Sequence, residues 1–280
     1  MSADSAEEAE AKAPGAERLT RFVIGETMKL LIDGDPIVYR IGFACQSTDK
    51  ETGLVTADPD SFTLHSCKLF VNGIIKDTQC ESYKIFLTGK NNFRHKIRSD
   101  YKENRSGAKK PYHYENIRGY LIEYYDAQVV DGMEADDAMA LLQTDDTAIA
   151  TIDKDLLMVP GLHYNYIKKE WKEVTEESGT KFFYAQMLTG DKVDNIIGIN
   201  GIGPKKAEKL LSDNDRETWD SLVIDLYIEE FGEDGFQRAV ENSHLLWMLQ
   251  RGRTVPMDFH NANQKESSSK KQSKKQQVQE

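Results

Sequence analysis

Five short apolar runs, separated by segments of helical spacing, constrain the fold of this 280-residue chain more than any other feature. They are KLLIDG (29–34), YKIFLTG (83–89), AQVVDG (127–132), TAIATID (147–153) and HYNYIK (163–168). Each has the length and the β-branched or aromatic content of a strand, whereas 60–76, 113–126 and 134–143 read as helices. Strands alternating with helices imply an α/β fold with a mostly parallel central sheet. From about 183 onward the strand signals stop, and a smaller α-helical subdomain is expected there. The chain is long enough for this pairing of one medium and one small unit.

The acids fall where the strands end. Asp33 and Asp35 follow KLLI, Asp131 follows AQVV, and Asp153 and Asp155 follow AIATI. MEADDAM (133–139) adds Glu134, Asp136 and Asp137, and TGDKVDN adds Asp191 and Asp194. In open α/β sheets, ligands gather at the carboxyl ends of the strands. Crowded carboxylates repel: a pair about 4 Å apart costs roughly 4 kcal/mol at an effective dielectric near 20. A shared cation relieves that cost. An all-oxygen set without an HExxH pair suits Mg²⁺ or Mn²⁺ rather than Zn²⁺. An EF-hand is excluded, because Ala44 and Tyr164 stand where its loops would need glutamate. The acids leave room for two cations, an arrangement that hydrolyses phosphodiesters.

Net charge −11 argues mildly against a nucleic-acid binder, an objection that weakens if the acids hold metal. Two basic stretches argue the other way. FRHKIRSDYKENRSGAKKPYHY (93–114) mixes Arg94, Lys96, Arg98, Lys102, Arg105, Lys109 and Lys110 with Tyr101, Tyr112 and Tyr114, the combination that phosphates and unstacked bases require. GINGIGPKKAEKLL (198–211) has glycine turns opening onto a helix with Lys205 and Lys206, where backbone N–H groups can hold phosphates. The rival reading of LLIDGDPIV is a haloacid-dehalogenase-type phosphatase, with Asp33 as nucleophile and Asp35 as general acid. It leaves EADDA, IDKDL and the basic segment without a role. No apolar run approaches the roughly 20 residues of a membrane helix, the start lacks a signal-peptide pattern, and Cys45, Cys67 and Cys80 form no CxxC pair, so a cytoplasmic protein with reduced thiols is expected.

IDGD, YKENR, EADD, IDKD, GDKVDN and GINGIGPKKA, in this order, make the chain resemble the flap endonuclease / 5′–3′ exonuclease family over roughly 28–255, its bacteriophage-type and bacterial polymerase-associated members above all. The resemblance implies a PIN-like nuclease domain (21–185) with a basic arch near 93–114 and a helix–two-turn–helix DNA-binding subdomain (186–258). Outside these, an acidic tail (1–20) and a Lys/Ser/Gln-rich tail (259–280) read as disordered. Carried over by motif, Asp33, Glu134, Asp136, Asp137, Asp153, Asp155, Asp191 and Asp194 would bind two Mg²⁺ or Mn²⁺ ions, directly or through water. Lys102, Arg105 and Arg40 would meet the phosphate at the catalytic centre. Arg94, Tyr101, Lys109, Lys110, Gly201, Gly203, Lys205 and Lys206 would contact DNA, with Tyr101 stacking on a base, and carbonyls around 199–204 would hold K⁺. The implied substrates are DNA 5′ ends, flaps and nicked or branched duplex, with RNA–DNA hybrids as a further class. The implied setting is a monomer working with a replication protein in phage DNA replication, repair or recombination, in the host cytoplasm if phage-encoded, with no membrane partner. One position departs from the family: Thr88 and Gly89 stand where an Asp normally follows the second strand, and no acid comes before Asp100. A catalytically weakened DNA-binding protein of the same fold is the alternative that this departure raises.

Overall fold

The computed structural model describes residues 28–105 and 107–257, so both expected tails lie outside the described residues. Strand β1 (Lys29–Asp33) is central, flanked by β4 (Ser82–Thr88) and β6 (Thr147–Ala150), with β5 (Gln128–Val130) beyond β4 and β7 (Gly161–Asn165) beyond β6. These five run parallel. The outermost strand, β8 (Glu170–Val174), pairs antiparallel with β7. A small hairpin, β2 (Gln46–Thr48) with β3 (Val55–Ala57), stands apart from the sheet.

Side chains alternate across each strand, so one sheet feeds two cores. Leu30, Ile32, Ile85, Leu87, Ala148 and Ala150 face α1 (Asp35–Ala44), α2 (Asp60–Thr78) and α4 (Tyr114–Tyr125), where Ile37, Val38, Cys67, Val71, Ile117 and Leu121 wait, each fully covered. Leu31, Phe86 and Ile149 point the other way, toward α5 (Ala135–Leu142) and α6 (Glu176–Thr189), through Met139, Phe183 and Met187. Covering a large aliphatic or aromatic side chain contributes about 1.5–3 kcal/mol. The second core continues without a break into α7 (Pro204–Ser212), α8 (Trp219–Phe231) and α9 (Gly235–Leu246) through Ala207, Trp219, Tyr227 and Leu245. The boundary expected at 185 therefore falls inside α6, and the helical part shares the sheet's core. The reason is Phe183 and Met187, apolar residues one turn apart that α6 turns into the joint core.

Between β4 and α4 the basic segment forms a single helical turn, α3 (Arg94–Ile97), and a short 3₁₀ turn at Glu103–Arg105. It lies close against the carboxyl edge of the sheet. Lys102 N donates to Asp194 O at 3.1 Å, with Lys102 itself at φ 59°, a conformation that costs a non-glycine residue energy and that the neighbouring contacts must hold in place.

Candidate active site

Parallel pairing sets Asp33 at the end of β1 beside the turn that carries Asp153 after β6. Asp33 is buried, and its Oδ2 accepts from Thr151 Oγ1 at 2.8 Å. Thr151 Oγ1 in turn accepts from Asp153 N at 2.9 Å, and Asp155 N donates to Asp153 Oδ1 at 2.9 Å, so the IDKD turn is braced by its own acids. A pocket of about 370 Å³ gathers Asp33, Asp35, Glu134, Asp136 and Asp153 with Lys102 and Arg105. Burial, and then the charges of Asp35 and Asp153, push Asp33 well above the usual carboxylate range. Burial, Asp33 and Asp153 do the same to Asp136.

A second acidic group adjoins the first. Asp155 is pushed up to about 7 by burial and by Asp153, and its Oδ1 accepts from Gln186 Nε2 at 2.6 Å. Asp191 is nearly covered, but Lys154 Nζ at 3.1 Å and the amides of Val193 and Asp194 outweigh burial and hold it low. Burial raises Asp194 against the pull of Lys102 and Arg105. Lys102 joins the two groups: its Nζ touches Glu134 and lies 3.5 Å from Asp194, while Arg105 reaches Asp194 Oδ1 at 2.6 Å. Burial works against the ammonium of Lys102, yet Glu134 and Asp194 win and its pKa is raised.

Three expected site residues have other work. Arg94 has no exposed surface and cannot meet DNA; its guanidinium grips Asp137 bidentately at 2.5 and 2.8 Å. Asp137, equally covered, also accepts from Glu134 N at 3.2 Å and Leu249 N at 3.1 Å, which occupies the carboxylate expected to bind metal. Tyr101 is 2% exposed, so it is covered where a stacking ring would be open, and its hydroxyl donates to Asp194 Oδ2 at 3.1 Å. The remaining candidates sit on the surface. Arg40 is exposed on α1 above the Phe70 ring at 5.8 Å, outside the pocket, and Lys109 and Lys110 are exposed, Lys110 standing 4.0 Å over the ring of Tyr114. Tyr114, read from the basic segment, walls the pocket, but sequence reasoning missed Tyr39 on the same wall and Arg118, whose Nη1 reaches Asp35 Oδ1 at 3.0 Å. Nothing in their local pattern marks them, because strand order brings them together.

At the departing position Thr88 serves as a cap. Its Oγ1 accepts from Ala135 N at 3.0 Å at the start of α5, and its own N–H donates to Asp35 Oδ2 at 2.9 Å. An acid thus stands beside the end of β4 after all, supplied by Asp35 at the first position of α1. Gly89 has no room for a side chain, since a Cβ there would lie 2.2 Å from Asp131 Oδ1 and 2.7 Å from Val130 O. Gly89→Asp should therefore destabilise by about 1–3 kcal/mol, whereas Thr88→Asp keeps the cap and adds a carboxylate to the pocket. Melting with and without Mg²⁺ checks both: Thr88→Asp, which adds to the carboxylate repulsion, should melt below wild type in EDTA and regain more from Mg²⁺ than wild type gains, whereas Gly89→Asp should stay low in both. Equal behaviour of the two variants would remove the distinction.

The glycine loop is a tight corner between α6 and α7, closed by the two-residue strands β9 (Gly190–Asp191) and β10 (Ile196–Ile197). Gly190 takes φ 68°, and a Cβ on it would meet Gly198 N at 2.3 Å, so close backbone approach requires both glycines. Gly201 turns at φ 71°, Gly203 caps α7, and Pro204 opens it, leaving Lys205 and Lys206 exposed. A cleft of about 780 Å³ runs along 195–204 to Asn104 and Lys192. Among the carbonyls expected to hold K⁺, Ile199 O already accepts from Ile202 N at 3.2 Å and Gly203 O from Ala207 N at 3.0 Å.

Among the described residues no three acidic, histidine or cysteine side chains are drawn tightly enough to form a closed metal cage, because Lys102, Arg105, Lys154 and Arg94 sit among the carboxylates. The donor set still fits a hard cation. Its free members are all oxygens, and Asp33, Asp136 and Asp155 are raised in the way that mutual repulsion in a dry site raises an acid. The buried hydroxyl oxygen of Tyr166, which feels the charges of Asp33, Asp136 and Asp153, has no hydrogen-bond partner among the described residues.

A family model described as 5′-3′ exonuclease, N-terminal resolvase-like domain, matches residues 28–186, more than half of the chain. The chain belongs to the 5′–3′ exonuclease family. Among curated relatives of this exonuclease-family chain, DNA polymerase I of Geobacillus stearothermophilus is 30% identical over 208 residues, 65% of this chain and 23% of that protein. A 5′-3′ exonuclease of Aquifex aeolicus is 29% identical over 199 residues, 65% of this chain and 68% of that protein. The chain thus spans about a quarter of the length of the polymerases it matches. Superposed on the T5 D15 protein, crystallised with metal ions, it gives a TM-score of 0.49 at 14% identity over 78% of this chain and 98% of that one. The fold supports the assignment directly: a mostly parallel sheet whose carboxyl edge collects the acids. No helix among the described residues is long and apolar enough to cross a membrane.

Proposed function

We propose that this chain is a divalent-cation-dependent 5′ nuclease that hydrolyses phosphodiester bonds in DNA carrying 5′ ends, flaps or nicks. The observation that carries the reading is Lys102 and Arg105 lying across two adjoining carboxylate groups at one sheet edge, with Glu134 and Asp194 as their partners. Asp33, Asp136 and Asp153 would hold one Mg²⁺ or Mn²⁺, and Asp155, Asp191 and Asp194 a second. When bound, the cations supply an activated water and a Lewis acid for the leaving oxygen.

The chain's own residues do the rest. Lys102 and Arg105 neutralise carboxylates in the free protein and are placed to transfer that charge to a phosphate as it gains negative charge in the transition state. Arg118 and the Thr88 amide keep Asp35 turned to the end of β4. Lys205 and Lys206 are exposed at the start of α7, where they can hold a duplex backbone without reading its sequence.

The deciding assay uses 5′-labelled flap, nicked-duplex and single-stranded DNA with Mg²⁺, Mn²⁺ or EDTA. Cleavage is expected with either metal and none with EDTA. Binding of flap DNA without cleavage in any metal would replace this reading with the weakened DNA-binding protein that the Thr88 position raises. Turnover of a small chromogenic phosphate ester with no cut DNA would replace it with a phosphatase.

A further inference from the structure

Tyr166 stands one residue beyond β7, on the edge where β1 and β6 lead into Asp33 and Asp153. It is 4% exposed, and its hydroxyl oxygen is sealed from solvent without a hydrogen-bond partner among the described residues. Four other covered tyrosines are satisfied: Tyr101 donates to Asp194, Tyr125 to Asn72 at 2.9 Å, Tyr184 to Asp220 and Tyr227 to Met187 O at 2.7 Å. An orphaned buried hydroxyl is costly, and chains seldom keep one without a use. The ring is fixed edge-on against Phe70 at 5.8 Å, and Arg40 covers the same Phe70 from 5.8 Å. The phenol lies in the field of Asp33, Asp136 and Asp153, with Arg40 the nearby positive charge.

We propose that the Tyr166 oxygen accepts a hydrogen bond from a water bound to the cation that Asp33, Asp136 and Asp153 hold. The inference rests on the metal reading under Proposed function. A water on a divalent cation is a stronger donor than bulk water and seeks a neutral acceptor, which the phenol supplies without adding to the carboxylate repulsion. Tyr166 is then a positioning residue: it touches neither DNA nor cation and fixes how one hydration water points. Groups of this kind, placed behind the ligands, typically change metal affinity by about tenfold or more.

The test is Tyr166→Phe in the full chain, melted in EDTA and across a Mg²⁺ titration beside wild type. In EDTA the variant should melt at or slightly above wild type, because an unsatisfied oxygen has gone. Mg²⁺ should raise its melting temperature less, and the apparent Mg²⁺ dissociation constant should weaken about tenfold. An identical Mg²⁺ response in the two proteins would overturn the proposal. So would an equal drop in EDTA and in Mg²⁺, the mark of an ordinary buried water or protein partner. A wild-type chain indifferent to Mg²⁺ would overturn the metal reading together with the role of Tyr166, an outcome separate from a wild type that responds and a variant that responds equally.

Discussion

Arg94→Ala will cost the folded chain roughly 3–5 kcal/mol, the range for breaking a buried ion pair from one side. The arginine has no exposed surface, and four bonds end on it: two to Asp137, one to Leu245 O and one to Trp247 O, both carbonyls at 2.8 Å. Alanine leaves a sealed carboxylate and two carbonyls without their donor, and water reaches none of them easily. For a folded region of this size the loss corresponds to a melting temperature lower by roughly 6–20 °C. Arg94→Lys should recover little, since a single ammonium cannot reproduce the planar fork. Arg94→Met combined with Asp137→Leu should melt above Arg94→Ala alone, because no charge is then stranded. A shift of less than about 2 °C for Arg94→Ala, the scale of an ordinary surface substitution, would show that the clamp does not hold the fold.

Lys102→Ala should lower single-turnover cleavage at saturating DNA by roughly 10²–10³-fold, the loss seen when one preorganised transition-state contact is removed. Affinity measured in Ca²⁺ should stay near normal. The side chain is 21% exposed and bonded to acids on two different segments, so its position is set before substrate arrives. Lys205→Ala should behave in the opposite way. Its ammonium is on the open face of α7, where a phosphate contact affects binding and reduces the salt slope by about one unit while the saturated rate holds. Parallel losses of rate and affinity in both variants would mean that the basic residues act only as a diffuse field.

Much of the fold was legible because periodicity survives folding. The helices read at 60–76, 113–126 and 134–143 formed at 60–78, 114–125 and 135–142. The strand ends gave away the acidic edge for the same reason: a parallel sheet brings every carboxyl end to one side. What stayed hidden depends on partners remote in sequence. Glu134, Asp136 and Asp137 look alike in EADD, and only the carbonyls near 245–247 and the amide of Leu249 decide that Asp137 turns inward to Arg94. Tyr101 reads as an exposed stacking ring until Asp194 is seen beside it. Thr88 looked like a lost acid, but it caps a helix that starts 47 residues later.

The joining of Arg94 and Asp137 to residues 245–249 also bears on how such a chain is made and inherited. The stretch matched by the family ends at 186, yet the bonds that seat the EADD helix come from a region translated some sixty residues later. On the ribosome the acidic pocket would stay unfinished until α9 and residues 247–249 emerge, so a half-made chain would carry the parts of a cutting site without its geometry. For the same reason the stretch is no cassette: moved onto another partner, it would leave behind the backbone that completes it.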